Sequence, residues 1–108
     1  MLSLAALAAT TSLFASFPSV EYRLPWHYKG ERLYYRSCGA ADACWVAEVR
    51  ETKTKQVKAR LRCDSTKMFY SVGNTLKELP FSESCDTANT DEKFKIIPKL
   101  LQKILQRT

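Results

Sequence analysis

The sequence predicts an α+β domain: a small antiparallel β-meander of four or five strands, stapled by disulfides, with a C-terminal amphipathic helix packed on it. Three observations carry the prediction. Val57, Ala59, Leu61 and Cys63 alternate with Gln56, Lys58, Arg60 and Arg62, the period-two pattern of a half-buried antiparallel strand. Cys38, Cys44, Cys63 and Cys85 make an even count in a short chain. Ile97, Leu100, Leu101, Ile104 and Leu105 recur at helical spacing, with Lys99, Gln102, Lys103, Gln106 and Arg107 on the opposite face. A chain of 108 residues has room for one small core, so multi-domain enzymes, Rossmann folds and TIM barrels are excluded.

The elements follow in chain order. The first twenty residues carry no charged side chain, and Met1 to Phe17 are almost wholly apolar or small. That run is short for a membrane span, which takes about 20 apolar residues, and it suits a secretory h-region. No Lys or Arg precedes it, and Ala8/Thr10, Ala9/Thr11 and Thr10/Ser12 are the available small-residue cleavage pairs. The expectation is a signal peptide over 1–19 and a single small secreted domain over 20–108. Val20 to Gly30 reads as an irregular lead-in around Pro25. Arg32 to Arg36 has the aromatic content of a strand, and Cys38 to Cys44 is a loop of small residues. Trp45 to Arg50 alternates as the next strand, Glu51 to Lys55 is a polar hairpin connection, and residues 56–63 follow as a strand. Asp64-Ser65-Thr66 turns the chain into the strand 68–72, and Gly73-Asn74 turns it again before 76–81. The strands thus fall within 31–81. A polar linker spans 82–92. A helix over 98–107 starts at Pro98, whose missing N–H costs nothing at a first helical position.

In an exported chain the four cysteines read as two disulfides. Three connectivities are open, and pairing of sequential neighbours, Cys38 with Cys44 and Cys63 with Cys85, is favoured. A zinc site is disfavoured, because zinc modules use tight C-x2–4-C knuckles that these spacings lack. No metal or other cofactor is expected.

The charge is uneven. Seventeen Lys and Arg against eleven Asp and Glu give +6 at pH 7. Seven of the basic residues lie between Arg50 and Lys67, among only two acidic ones. Lys58, Arg60 and Arg62 would stand in a row on one strand face, with Lys53 and Lys55 at the adjacent hairpin tip. Such a row is either a solvated face that discourages edge pairing or an electrostatic platform for phosphate, sulfate or carboxylate groups. The tail from Lys93 to Arg107 holds five basic residues and no acid. Its apolar stripe either covers the sheet or lies in a membrane surface, and one stripe cannot do both.

Trp26, His27, Tyr28, Tyr34, Tyr35 and Trp45 concentrate aromatic area near the first strands. His27 is the one histidine, and a general base needs a positioned second group. The chain contains no G-x-S-x-G elbow, no H-E-x-x-H and no glycine-rich phosphate loop. Catalysis is not expected.

Trp45-Val46-Ala47, Lys58-Ala59-Arg60 leading to Cys63, Tyr70, and Ile97-Pro98 ahead of a helix together resemble the bacterial surface-adhesin E family. That resemblance implies a small exported sheet-plus-helix domain, of a kind that in some members binds host proteins at the cell surface. The chain departs from the family pattern in two places. No cysteine lies in 100–107, where the family closes its disulfide, and the Cys38/Cys44 pair is additional.

The functional expectation is a small basic secreted protein that binds without catalysis. Its partner would be an anionic protein, glycan or membrane surface, with no specific nucleic acid, and its binding residues Lys53, Lys55, Lys58, Arg60 and Arg62. The alternative is a cationic toxin or antimicrobial protein acting on membranes through 93–108.

Overall fold

The structure, a computed structural model, describes residues 20–39, 43–75 and 77–107. The expected signal peptide over 1–19 lies outside the described residues. Six antiparallel strands lie side by side in sequence order: β1 (Glu21–Leu24), β2 (Glu31–Ser37), β3 (Cys44–Glu51), β4 (Val57–Asp64), β5 (Lys67–Val72) and β6 (Leu79–Ser84). A single turn of helix, α1 (Cys85–Ala88), leads to α2 (Lys93–Ile104), which lies on one face of the sheet. The architecture is the α+β meander expected, with one strand more than the four or five counted from the sequence.

The extra strand is β1, inside the stretch read as an irregular lead-in. Its four residues are mostly exposed and show no apolar run. It forms because β2 offers an unpaired edge, and the register sets Tyr22 against Tyr35 and Leu24 against Leu33. The linker assigned to 82–92 is also more ordered than its composition suggests. Its first residues complete β6, and Cys85 opens α1. An edge strand needs apolar residues on one face only, so Ser82, Glu83 and Ser84 do not prevent pairing.

The main helix begins at Lys93, not Pro98, and Pro98 lies inside it. Pro98 has no N–H for the Phe94 carbonyl, so one hydrogen bond is missing one turn in, and burial of Ile97, Leu100 and Leu101 holds the helix through it. The helix ends at Ile104 rather than 107. Gln106 adopts φ 57°, its N–H bonds the Lys103 carbonyl at 3.0 Å, and the Arg107 N–H bonds the Gln102 carbonyl at 2.8 Å. This paired closure satisfies two of the last helical carbonyls.

Leu33 and Tyr35 of β2, Trp45, Ala47 and Val49 of β3, Ala59, Leu61 and Cys63 of β4 and Met68 of β5 form the buried sheet face. Ile97, Leu100 and Leu101 of α2 close it, with Cys85 and Ala88 of α1. The Trp45 indole N–H donates to Asn89 Oδ1 at 2.9 Å, which pins the connection between the helices. Disulfides join Cys38 to Cys44 and Cys63 to Cys85. Such bonds persist in oxidising compartments.

One irregularity matters for the site. The β3–β4 register pairs Val49 with Ala59 but Arg50 with Val57, so Lys58 is an extra residue in β4. A bulge of this kind interrupts side-chain alternation. The expected row of Lys58, Arg60 and Arg62 on one face is therefore broken at Lys58. Its ammonium instead lies 3.5 Å from Glu31 and 3.9 Å from Glu51. Each carboxylate lies two residues along its strand from a helix-covered residue, Glu31 from Leu33 and Glu51 from Val49, and so belongs to that face of the sheet.

Candidate functional site

The sheet face opposite α2 carries arginines, and carboxylates of the same face neutralise most of them. Glu48 of β3 is buried at 4% exposure. Arg50 Nε donates to its Oε1 at 3.0 Å, and Arg60 Nε donates to its Oε2 at 2.6 Å. Burial alone would raise the Glu48 pKa, but the hydrogen bonds from Arg50 and Arg60 hold it below the ordinary carboxylate range. Arg50 also reaches Glu21 of β1, which Arg36 bonds at 3.3 Å. Glu21 is held low chiefly by its hydrogen bond from Arg50, and the Arg50 pKa is raised in turn. Further along β4, Arg62 grips Glu78 with two bonds of 2.7 and 2.8 Å and lies 3.4 Å from Asp64. The Arg50 and Arg62 guanidiniums stack on Tyr34 at 4.3 Å and Phe69 at 4.8 Å.

The five residues expected to bind thus divide. Lys58, Arg60 and Arg62 each have a carboxylate of this chain within ion-pair distance. Lys53 and Lys55 are exposed in the β3–β4 hairpin and, among the described residues, have none. That hairpin docks on the β1–β2 turn, where the Gly30 carbonyl accepts the Thr52 N–H at 2.9 Å and the Thr52 hydroxyl at 3.2 Å. Gly30, at φ 79°, supplies the left-handed turn that presents this carbonyl.

The junction leaves a cleft of about 330 Å³ lined by Arg32, Tyr34, Arg50, Glu51, Thr52 and Lys55. Lys29, beside Gly30, and Arg32 of β2 are exposed and also have no carboxylate partner among the described residues. Glu51 is occupied, since its carboxylate accepts the Thr54 hydroxyl at 2.7 Å. Glu31 is occupied by Arg107, by the Trp26 indole N–H at 3.1 Å and by Lys58. One end of the sheet therefore gathers Lys29, Arg32, Lys53 and Lys55, none of them in an ion pair among the described residues. Arg32 was not among the expected site residues. Only the β2–β3 register, which sets it opposite Arg50, brings it to Lys55.

Lys55 itself sits at φ 67°. A side chain is disfavoured there, and glycine would fit the backbone better. His27 is exposed, with its ring 4.2 Å from that of Tyr28. Among the described residues no three His, Cys, Asp or Glu side chains converge as a metal site.

Compared with protein-family models, with curated proteins and with solved structures, the chain finds no significant match. The likeness to surface-adhesin E rests on the short motifs alone.

Proposed function

We propose that this is a small, basic, secreted binding protein that acts without catalysis. It holds a polyanionic partner, an acidic protein surface or a sulfated glycan, at the cationic end of the sheet. The supporting observation is the division of the basic residues. Lys29, Arg32, Lys53 and Lys55 share one end and, among the described residues, have no carboxylate within ion-pair distance, whereas Lys58, Arg60 and Arg62 are satisfied within the fold. Cations without a partner gain most from an external anion, because no existing ion pair has to be broken first. The two disulfides suit the oxidising location this reading requires. Action on membranes through 93–108 would first require unpacking Ile97, Leu100 and Leu101, which are buried against the sheet.

Heparin affinity tests the reading with two charge-matched double variants. Lys53→Ser/Lys55→Ser is expected to lower affinity about tenfold or more. Arg60→Ser/Arg62→Ser removes the same charge and is expected to change affinity less while lowering stability, since it strips Glu48 and Glu78 of partners. Equal loss in both would return the site to the β4 row, and absence of salt-sensitive binding in the parent protein would end the proposal.

A further inference from the structure

A second cavity, of about 440 Å³, lies between the β1–β2 connection and α2. Its volume is within the range of small-molecule sites. Pro25 and Trp26 form one side, and Phe94 and Pro98 the other. Phe94, Pro98 and Gln102 are spaced four apart on α2 and so make one row along the helix, while Lys95 and Lys99 make the row beside it. Among the described residues no carboxylate lines the cavity. Lys99 is exposed with no acidic partner among the described residues, and Lys95 has only an exposed pair with Glu92 at 3.6 Å.

The aromatic side is fixed before anything binds. The Trp26 indole donates to Glu31, which Arg107 holds with two hydrogen bonds. The Arg107 guanidinium lies 4.8 Å over the Tyr28 ring, and that ring lies 5.1 Å from Trp26. Opposite, Phe94 remains 48% exposed. An apolar slot with one preset wall and an adjacent cationic row is complementary to a ligand that is flat and apolar at one end and anionic at the other.

We propose that this groove binds a small amphiphilic anion, an aromatic ring system bearing a carboxylate, sulfate or sulfonate, with the ring between Trp26 and Phe94 and the charge on the Lys95/Lys99 row. The site is separate from the cationic end of the sheet, whose cleft offers a polyanion no comparable apolar slot.

The test is a fluorescence titration of the disulfide-bonded protein with 1-anilinonaphthalene-8-sulfonate, read from the probe and from tryptophan quenching. Saturable binding at one site is expected. Lys99→Glu alters an exposed side chain and is expected to weaken it about tenfold with the melting temperature little changed. Phe94→Ser removes a ring that also meets the Tyr35 ring edge-on at 5.1 Å, and is expected to weaken binding about as much at a modest cost in stability. The uncharged N-phenyl-1-naphthylamine is expected to bind about tenfold more weakly than the sulfonate. Lys53→Ser/Lys55→Ser is expected to leave the titration unaltered, which separates this site from the heparin site. Binding that survives both Phe94→Ser and Lys99→Glu, or that is as strong for the uncharged probe, overturns the proposal.

Discussion

Lys55 places a long cationic side chain where the backbone favours none. At φ 67° its Cβ crowds the following carbonyl, at a cost of about 1–2 kcal/mol relative to glycine. Glycine would return part of that gain through the larger entropy of its unfolded chain. Lys55→Gly is therefore expected to stabilise the domain by up to about 1 kcal/mol in urea unfolding. The same change is expected to weaken heparin retention, because one of the four cations gathered at that end of the sheet is lost. Stability and binding should move in opposite directions, a trade-off common where a strained residue serves a site. A destabilised Lys55→Gly protein would remove the strain argument. Glu48 makes the contrasting case: its carboxylate is buried among Arg36, Arg50 and Arg60 and belongs to the sheet's own framework.

Among the elements, the two disulfides differ in reach. Cys38–Cys44 closes a separation of six residues at a hairpin end, while Cys63–Cys85 closes twenty-two and ties the end of β4 to α1 beneath the core. In the chain-entropy model the longer closure contributes about 3 kcal/mol and the shorter about 2 kcal/mol. Cys63 and Cys85 are also fully buried, so their replacement disturbs packing as well. The Cys63→Ala/Cys85→Ala pair is expected to lower the guanidinium unfolding midpoint clearly more than Cys38→Ser/Cys44→Ser; the reverse order would mean that the loop at 38–44 organises the sheet. β3 and β4 were legible in the sequence because the positions under α2 are apolar at every second residue, Trp45, Ala47 and Val49 in one and Ala59, Leu61 and Cys63 in the other. β1 was not, since its pairing comes from β2 and not from its own pattern. Pro98 misplaced the start of α2 because tertiary burial carries the helix across a missing hydrogen bond. The hairpin lysines of the site could be read from turn chemistry. The loss of Lys58 from the β4 row and the gain of Arg32 could not, because both depend on inter-strand register and the bulge at Val49/Arg50.

Across the whole molecule, Arg107 ties the segment after α2 to the start of β2. The turn at Gln106 aims Arg107 at Glu31, seventy-six residues earlier, and both Glu31 oxygens accept from its guanidinium. Glu31 also receives the Trp26 indole N–H, so the C-terminal end of α2 fixes the wall of the aromatic groove. The hydrogen bond from Arg107, foremost, draws the Glu31 pKa from 4.5 to about 2, against the opposing effect of burial. A folded-state pKa below the unfolded value means that the folded protein binds this proton less readily. The stabilisation is complete above about pH 4.5 and is lost as pH falls toward about 2. A shift of that size corresponds to about 3 kcal/mol as an upper figure. Glu21, Glu48 and Glu78 are held low in the same sense, so acid lowers the stability of the parent protein through several groups. Arg107→Ala isolates the contribution of Glu31. Urea unfolding should find the variant weaker than the parent at pH 7 and the two converging near pH 2, with tryptophan emission reporting release of Trp26 over the same range. A stability difference that stays constant from pH 7 to pH 2 would mean that Arg107 acts by packing on Tyr28 and not through the Glu31 carboxylate.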